Sequence, residues 1–377
     1  MRIAIITTGF SKDAADYGGA AAFHNLVREL SLQQDIDISV FAFYYPFDQP
    51  EYNFYNAKVF SFASSGKLNE LKKFNIWRNC EKKFAAEHRK EKFDIVHSMW
   101  AGESGFVASR FSRKFKIPFI ANIAGGELAG IEEIGYGSRI KQVQRYFVDR
   151  TFSKAQVIIS GSDFIIDKIK TYYDETILSK VQIIPFGVDD SMFFVKEADP
   201  GATDAPALIS VANIVPVKSH DTLFKALKIV NEKYPALQLE CYGRDDRNVL
   251  EDLAWSNGVA GNVISGGFKD YEKVPDVLNK GAIFVSSSLY ESENMSAIEA
   301  AFCGLPVVST AVGAAPEITE HVAPPGDFET LAEKIIYVIE NYPAEKQKAL
   351  NKRAELVEKY SLKTAVQNFI NLYKSLV

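Results

Sequence analysis

The sequence predicts an α/β protein built from two parallel-sheet domains in tandem, and three observations carry that expectation. Short β-branched apolar runs alternate with amphipathic helical stretches along most of the chain, beginning with Arg2–Thr7, Ala20–Leu30 and Ile36–Phe43. The alternation breaks at 190–206, a segment rich in charge, Pro and Gly, and restarts with Ala207–Val211. A chain of 377 residues is long enough for two full cores. The expected divisions are therefore 1–190, 191–360 and a final stretch 361–377. Parallel sheets collect ligands at the carboxyl ends of their strands, so two such Rossmann-like domains are expected to face each other across a cleft.

The first strand runs into a polar loop and Gly18-Gly19, and a helix begins directly after. The pair either lets a ligand approach the backbone closely or serves the turn alone. No G-x-G-x-x-G follows, so a dinucleotide fingerprint is lacking. Asp35-Ile36-Asp37 spells D-x-D, but at the entry of a strand and so at the wrong edge for a ligand; it reads as solvated charge. Phe93–His97 leaves His97 at a strand end near Trp100, as either a hydrogen-bonded core residue or a catalytic group. Ile117–Ile123 runs into Ala124-Gly125-Gly126-Glu127, a loop placed to face an acceptor, with Glu132 and Glu133 following. A helix through Tyr146–Phe152 and the strands Val157–Ser160 and Val181–Ile184 close the first sheet.

In the second half, the loop Asn213–Ser219 carries Lys218, the strand Leu237–Tyr242 leads to Gly243-Arg244, and Asn262–Ile264 leads to Gly266-Gly267. The most informative stretch is 282–304, AIFVSSSLYESENMSAIEAAFCG. A buried strand ends in three serines, a turn carries Glu291, and a helix from Met295 holds Glu299 and stops at Gly304 with Pro306 beyond. Free backbone N–H groups near Asn294 and Met295 suit an anion such as phosphate. Two carboxylates beside an anion site make sense if they accept hydrogen bonds from sugar diols. Against that stands a simple capping box, Ser296-x-x-Glu299. Lys218, Arg244 and the helix start converging on one edge would suit a diphosphate.

Composition narrows the classes. A net charge of −5 argues against nucleic acid as the main partner. Three scattered cysteines, Cys80, Cys241 and Cys303, form no framework and point to a reducing, cytoplasmic location. The start MRIAIITTGF reads as a strand rather than a leader, and no apolar run reaches membrane-span length. Residues 66–116 are different: 13 basic against 6 acidic side chains, with Phe74, Trp77 and Phe84 interleaved. This block is either a solvated amphipathic helix or a surface attracted to anionic lipid on the inner face of a membrane.

At this point the sequence resembles the retaining glycosyltransferases of family 4, which have the GT-B fold. Glu291 to Glu299 matches their E-x7-E signature, within a similarity running Phe284–Glu317. Ile184-Pro185-Phe186-Gly187-Val188-Asp189, Val211–Ser219, Tyr17-Gly18-Gly19 and Pro324-Pro325-Gly326-Asp327 resemble further family motifs. The resemblance implies a UDP- or GDP-type nucleotide-sugar donor, a glycan or lipid-linked acceptor, and no resident metal or other cofactor. It gives Glu299 to the ribose, Glu291 to the transferred sugar and Lys218 to the diphosphate, with Asn294 and Met295 backbone at the phosphate or sugar. A final helix, Ser361–Leu376, is expected to cross back to the first domain. The chain departs from the pattern at Asn213, where the family has arginine, at Ala124 and Met99, where it has histidine, and in a short segment between Glu317 and Pro324. Arg244 is the candidate substitute for the missing arginine, and His97 is the surviving acceptor-side histidine. The alternative is a degenerate member that binds nucleotide sugar or a partner without turnover.

Overall fold

The β-branched runs form the strands of two sheets in a computed structural model that describes residues 1–18, 20–63, 69–196 and 207–377. The chain divides into one unit made of Met1–Gly187 with Leu362–Val377 and a second made of Val188–Ser361.

In the first unit the strands are β1 (Arg2–Thr7), β2 (Asp37–Ala42), β3 (Glu51–Phe54), β4 (Ala57–Ser61), β5 (Ile95–Ser98), β6 (Phe119–Ile123), β7 (Val157–Ser160) and β8 (Val181–Ile183). Their order is β3-β4-β2-β1-β5-β6-β7-β8. The helices are α1 (Ala21–Ser31), α2 (Glu70–Lys90), α3 (Glu103–Phe115), α4 (Gln142–Lys154), α5 (Phe164–Tyr172) and α6 (Glu175–Leu178). Every residue of β1 is buried, as a central parallel strand covered on both faces requires. On one face, Leu26, Val27 and Leu30 of α1 pack with Val366, Phe369, Ile370 and Tyr373 of the chain's last helix. That helix repeats its apolar residues at three- and four-residue spacing, which aligns them in one stripe. On the other face, Phe41, Phe84, Phe93 and Phe111 pack with ring centroids 4.8 to 6.0 Å apart. Full burial of each such ring is worth about 1.5–3 kcal/mol.

The second unit has β9 (Leu208–Val211), β10 (Leu239–Tyr242), β11 (Val263–Gly267), β12 (Ile283–Ser286), β13 (Val307–Thr310) and β14 (Val322–Ala323), in the parallel order β11-β10-β9-β12-β13-β14. Its helices are α7 (His220–Lys233), α8 (Val249–Ser256), α9 (Val274–Lys280), α10 (Met295–Phe302), α11 (Ala315–Ile318), α12 (Phe328–Glu340) and α13 (Tyr342–Tyr360). After it, α14 (Leu362–Leu376) returns to the first unit. Helix α10 buries Ala297, Ile298, Ala300, Ala301 and Phe302, the small side chains letting it lie within the layers around it. It stops at Gly304, in the left-handed region at φ +72°.

The structure departs from the sequence reading in three places. The hairpin β3–β4 has no counterpart in the sequence reading; it turns at Tyr55, and its strands are short and only partly apolar. The expected linker begins too early: Val188 and Phe193 are fully buried in a core of the second unit, so the boundary falls at Gly187/Val188, and 197–206 lie outside the described residues. The basic block is not one surface. Phe84 is a core ring, and Lys83, Lys90 and Lys114 pair with Glu51 or Glu87, Glu87 and Glu81. Residues 66–68 of the block lie outside the described residues. No helix among the described residues is long and apolar enough to cross a membrane.

Candidate functional site

The carboxyl edge of the second sheet is assembled from loops that tie one another down. Beyond β9, Pro216–Lys218 form a single 3-10 turn before α7. Ser287, just past β12, donates from Oγ to the carbonyl oxygens of Lys218 and Ser219 at 3.0 and 2.9 Å. The Leu289 N–H donates to the Val217 carbonyl at 2.8 Å. The two loops are thereby fixed side by side, and Lys218 and Glu291, 73 positions apart in sequence, meet. Lys218 Nζ donates to Glu291 Oε1 at 2.5 Å, and Ser288 Oγ donates to the same oxygen at 2.6 Å. The side chains are 25% and 14% exposed, so the pair is partly shielded yet open to a ligand.

The turn that follows is equally constrained. Asn294 precedes α10 in the left-handed region (φ +66°), which asparagine tolerates better than most residues. A Cβ on Gly313, itself at φ +58°, would lie 2.7 Å from the Glu293 carbonyl carbon, so only glycine lets that loop close on the helix start. Of the first N–H groups of α10, those of Ala297 and Ile298 donate to the Asn294 carbonyl at 3.1 and 3.4 Å, leaving Met295 and Ser296 as the helix-start donors.

Glu299 does not close the capping box with Ser296. Its Oε1 accepts from the Tyr271 hydroxyl at 2.8 Å, and the residue is 6% exposed. Burial pushes its carboxyl up to about 7, and the tyrosine hydrogen bond works weakly against that shift. Arg244 and Asn213 are neighbours: the Arg244 N–H donates to Asn213 Oδ1 at 3.1 Å, and the Ile214 N–H returns to the Arg244 carbonyl at 2.9 Å. The close approach depends on Gly243, whose Cβ would fall 1.9 Å from the Ala212 carbonyl oxygen. The exposed guanidinium of Arg244 lies over the Phe268 ring, 5.1 Å from its centroid. The Arg244 backbone thus stands beside the position where the family's arginine is replaced, while its charge extends toward Phe268.

The first unit overturns several expectations. His97 is not available for catalysis. It is fully buried, with Nδ1 2.8 Å from the Tyr373 hydroxyl of α14 and Nε2 2.7 Å from Asn122 Oδ1. Burial lowers its pKa to about 4, holding it neutral. Glu127 does not face an acceptor either. It is 3% exposed and accepts from the backbone N–H groups of Ala101, Ala124 and Gly125 at 3.2, 3.4 and 2.8 Å, knitting its own loop together. Burial raises its carboxyl above the usual range. Gly125 and Gly126 stay half-buried on that loop, with the Gly126 carbonyl accepting from Ser138 N–H at 2.8 Å. Gly18 is exposed, but its N–H is taken by Asp16 Oδ1 at 3.1 Å, which favours the turn over a ligand; Gly19 lies outside the described residues.

Two partners at the donor side escaped the sequence reading. Ser288 stands in a triplet of serines that gives no hint which of them faces a carboxylate, and Tyr271 lies 28 positions from the acid it holds. Elsewhere, Glu320, His321 and Glu345 bring their ligand atoms within 4.8 Å of one another, but Lys348 already bonds both carboxylates, at 3.2 and 2.8 Å.

Comparison with known proteins agrees with this organisation. Residues 193–357 match the family model "Glycosyl transferases group 1", and residues 17–192 match "Glycosyltransferase Family 4". A phosphatidylinositol N-acetylglucosaminyltransferase component from Arabidopsis thaliana is 33% identical over 156 residues, a match covering 41% of this chain but only 34% of that protein. Among solved structures, sucrose-phosphate synthase from Thermosynechococcus elongatus superposes with a TM-score of 0.81 at 17% identity, covering 100% of this chain and 99% of that one. Anabaena HepE, solved in complex with UDP and glucose, gives 0.74 at 17% identity, with 100% of both chains covered. Accounted for by two such models in succession, and folded as two parallel-sheet units of the GT-B type, the chain belongs to glycosyltransferase family 4.

Proposed function

We propose that this protein is a retaining glycosyltransferase that moves a sugar from a UDP- or GDP-type donor to a glycan or lipid-linked acceptor, with no resident metal. The observation that carries the reading is the Lys218–Glu291–Ser288 cluster, held at a sheet edge by interlocked loops beside the start of α10. A donor entering there meets Lys218 as a cation for its diphosphate, with Arg244 as the second charge in place of the arginine replaced by Asn213. Backbone N–H groups at Met295 add preorganised donors, which stabilise a departing diphosphate without reorganising. Release of Lys218 from Glu291 frees that carboxylate to accept hydrogen bonds from the sugar, and Glu299 accepts from the ribose. The HepE complex with UDP and glucose supports the choice of donor class. With His97 and Glu127 locked in place, no first-unit side chain is assigned as a base, which suits a front-side reaction in which the leaving phosphate takes the acceptor's proton.

The test is nucleoside diphosphate release across a panel of donors and acceptors. The expected result is release that rises with a suitable acceptor, disappears in Glu291→Ala, survives chelator, and leaves the product with the donor's anomeric configuration by NMR. The replacement at Asn213 favours a second reading, a degenerate member that binds but does not turn over. Saturable donor binding without release under every pairing would establish that reading instead.

A further inference from the structure

The first unit carries an amphipathic face that the donor chemistry does not use. Helix α2 ends at the amino edge of the sheet, where the Glu87 and Glu91 carbonyls accept from Arg2 of β1, and α4 leads at its C-terminus into β7. Their N-terminal halves therefore stand at the opposite, carboxyl edge. There Trp77 Nε1 donates to Glu103, the first residue of α3, at 2.7 Å. The Trp77 ring lies 6.0 Å from Phe147 of α4 and 6.0 Å from Phe106 of α3, so the helix ends are joined through an aromatic cluster. Beyond that cluster Leu71, Phe74, Val143 and Tyr146 are 76%, 55%, 64% and 57% exposed. Lys72, Lys73 and Arg78 flank the first pair, and Lys141 and Arg145 flank the second. Within 69–79 and 141–146 the one acid is Glu70, bonded to Lys73 at 3.1 Å.

We propose that this face docks on an anionic lipid bilayer and seats the carboxyl edge of the first unit at the headgroups. Large apolar side chains that stand more than half in solvent project outward; they are shaped to enter a soft interface rather than to receive a partner's side chain. The cations around them supply attraction to anionic headgroups. The surface differs from the stretch 66–116 expected from composition: Arg89, Lys90, Arg113, Lys114 and Lys116 end their helices at the amino edge, while Lys141 and Arg145 join from outside it. The proposal deepens the lipid-linked form of the acceptor reading. Lipid binding is measured without turnover, so the two fail separately.

The experiment is flotation of the full chain with vesicles of phosphatidylcholine alone or mixed with roughly a third phosphatidylglycerol, at about 0.1 M and about 1 M salt. Flotation is expected with the anionic vesicles only, falling at high salt. The pairs Phe74→Ser with Tyr146→Ser, and Lys72→Glu with Arg145→Glu, should each reduce the bound fraction roughly tenfold or more. The amino-edge pair Arg113→Glu with Lys116→Glu should leave it unchanged, all variants keeping the parent's circular dichroism. Equal binding to neutral vesicles, no flotation, or an equal loss in the amino-edge pair would overturn the proposal.

Discussion

Replacing Glu299 with glutamine should make the protein more stable and weaken donor binding, and the gain should depend on pH. Glu299 is buried, with its carboxyl near 7 in the folded chain against an ordinary 4.5. Below about pH 4.5 both folded and unfolded chains hold the proton, and the burial carries no penalty. As pH rises through 7 the unfolded chain gains from ionisation that burial opposes in the folded one, so stability contributed by the protonated acid is lost. A shift of this size corresponds to about 3 kcal/mol at full ionisation. Glutamine keeps the shape and an oxygen for the Tyr271 hydroxyl but has no proton to lose. Glu299→Gln should therefore melt like the parent at pH 4.5 and several degrees higher at pH 8, since a unit of this size moves about 2–4 °C per kcal/mol. Adding UDP or GDP in the same melting experiment should raise the parent's transition and raise the variant's by less. Equal melting differences at pH 4.5 and pH 8 would show that the acid is not held protonated by burial. Equal nucleotide-induced shifts would show that it does not meet the ribose.

The other predictions follow from the same geometry. Lys218→Met should weaken nucleoside diphosphate binding by about 1.5–3 kcal/mol, the worth of a hydrogen bond to a charged group, as read by titration calorimetry. His97→Phe should lower the melting temperature while leaving nucleotide affinity unchanged, because the imidazole is enclosed by Tyr373 and Asn122. His97, His24 and His220 are each held neutral with pKa values lowered to about 4, so each supports the fold above pH 6.5 and loses that support as pH falls toward 4; the parent should therefore unfold in mild acid over that window. Glu127→Ala should speed amide exchange at Ala101, Ala124 and Gly125, whose N–H groups lose their acceptor.

Much of the fold is written in local pattern. Strand β7 and the start of α10 fall at the residues expected, because a run of three β-branched residues and a helix closed by Gly304 are signals carried by neighbours in sequence. The hairpin β3–β4 is not, since its stability comes from pairing with β2 rather than from its own composition. At the carboxyl edge of the second sheet the sequence names residues but not the bonds between them. Nothing in the chain says that Lys218 reaches Glu291 or that Tyr271 reaches Glu299; those contacts follow from which strands lie side by side. The acceptor-side expectations failed for one reason. A polar residue at a strand end looks the same in sequence whether it faces water or is enclosed by a distant helix, and for His97 that helix is 276 positions away.

The path of the chain has a consequence for how the protein is made. Because α14 closes over β1 and β5 and its Tyr373 reaches His97, the opening 187 residues leave the ribosome without the side chains that complete their own core. Residues 188–361 have no such debt and are able to mature first. Biogenesis should then run out of order, the later-made half acting as a folded spacer while the earlier half waits for its closing helix. A chain clipped just before Leu362 should keep an intact second unit and expose an unfinished first one to proteases.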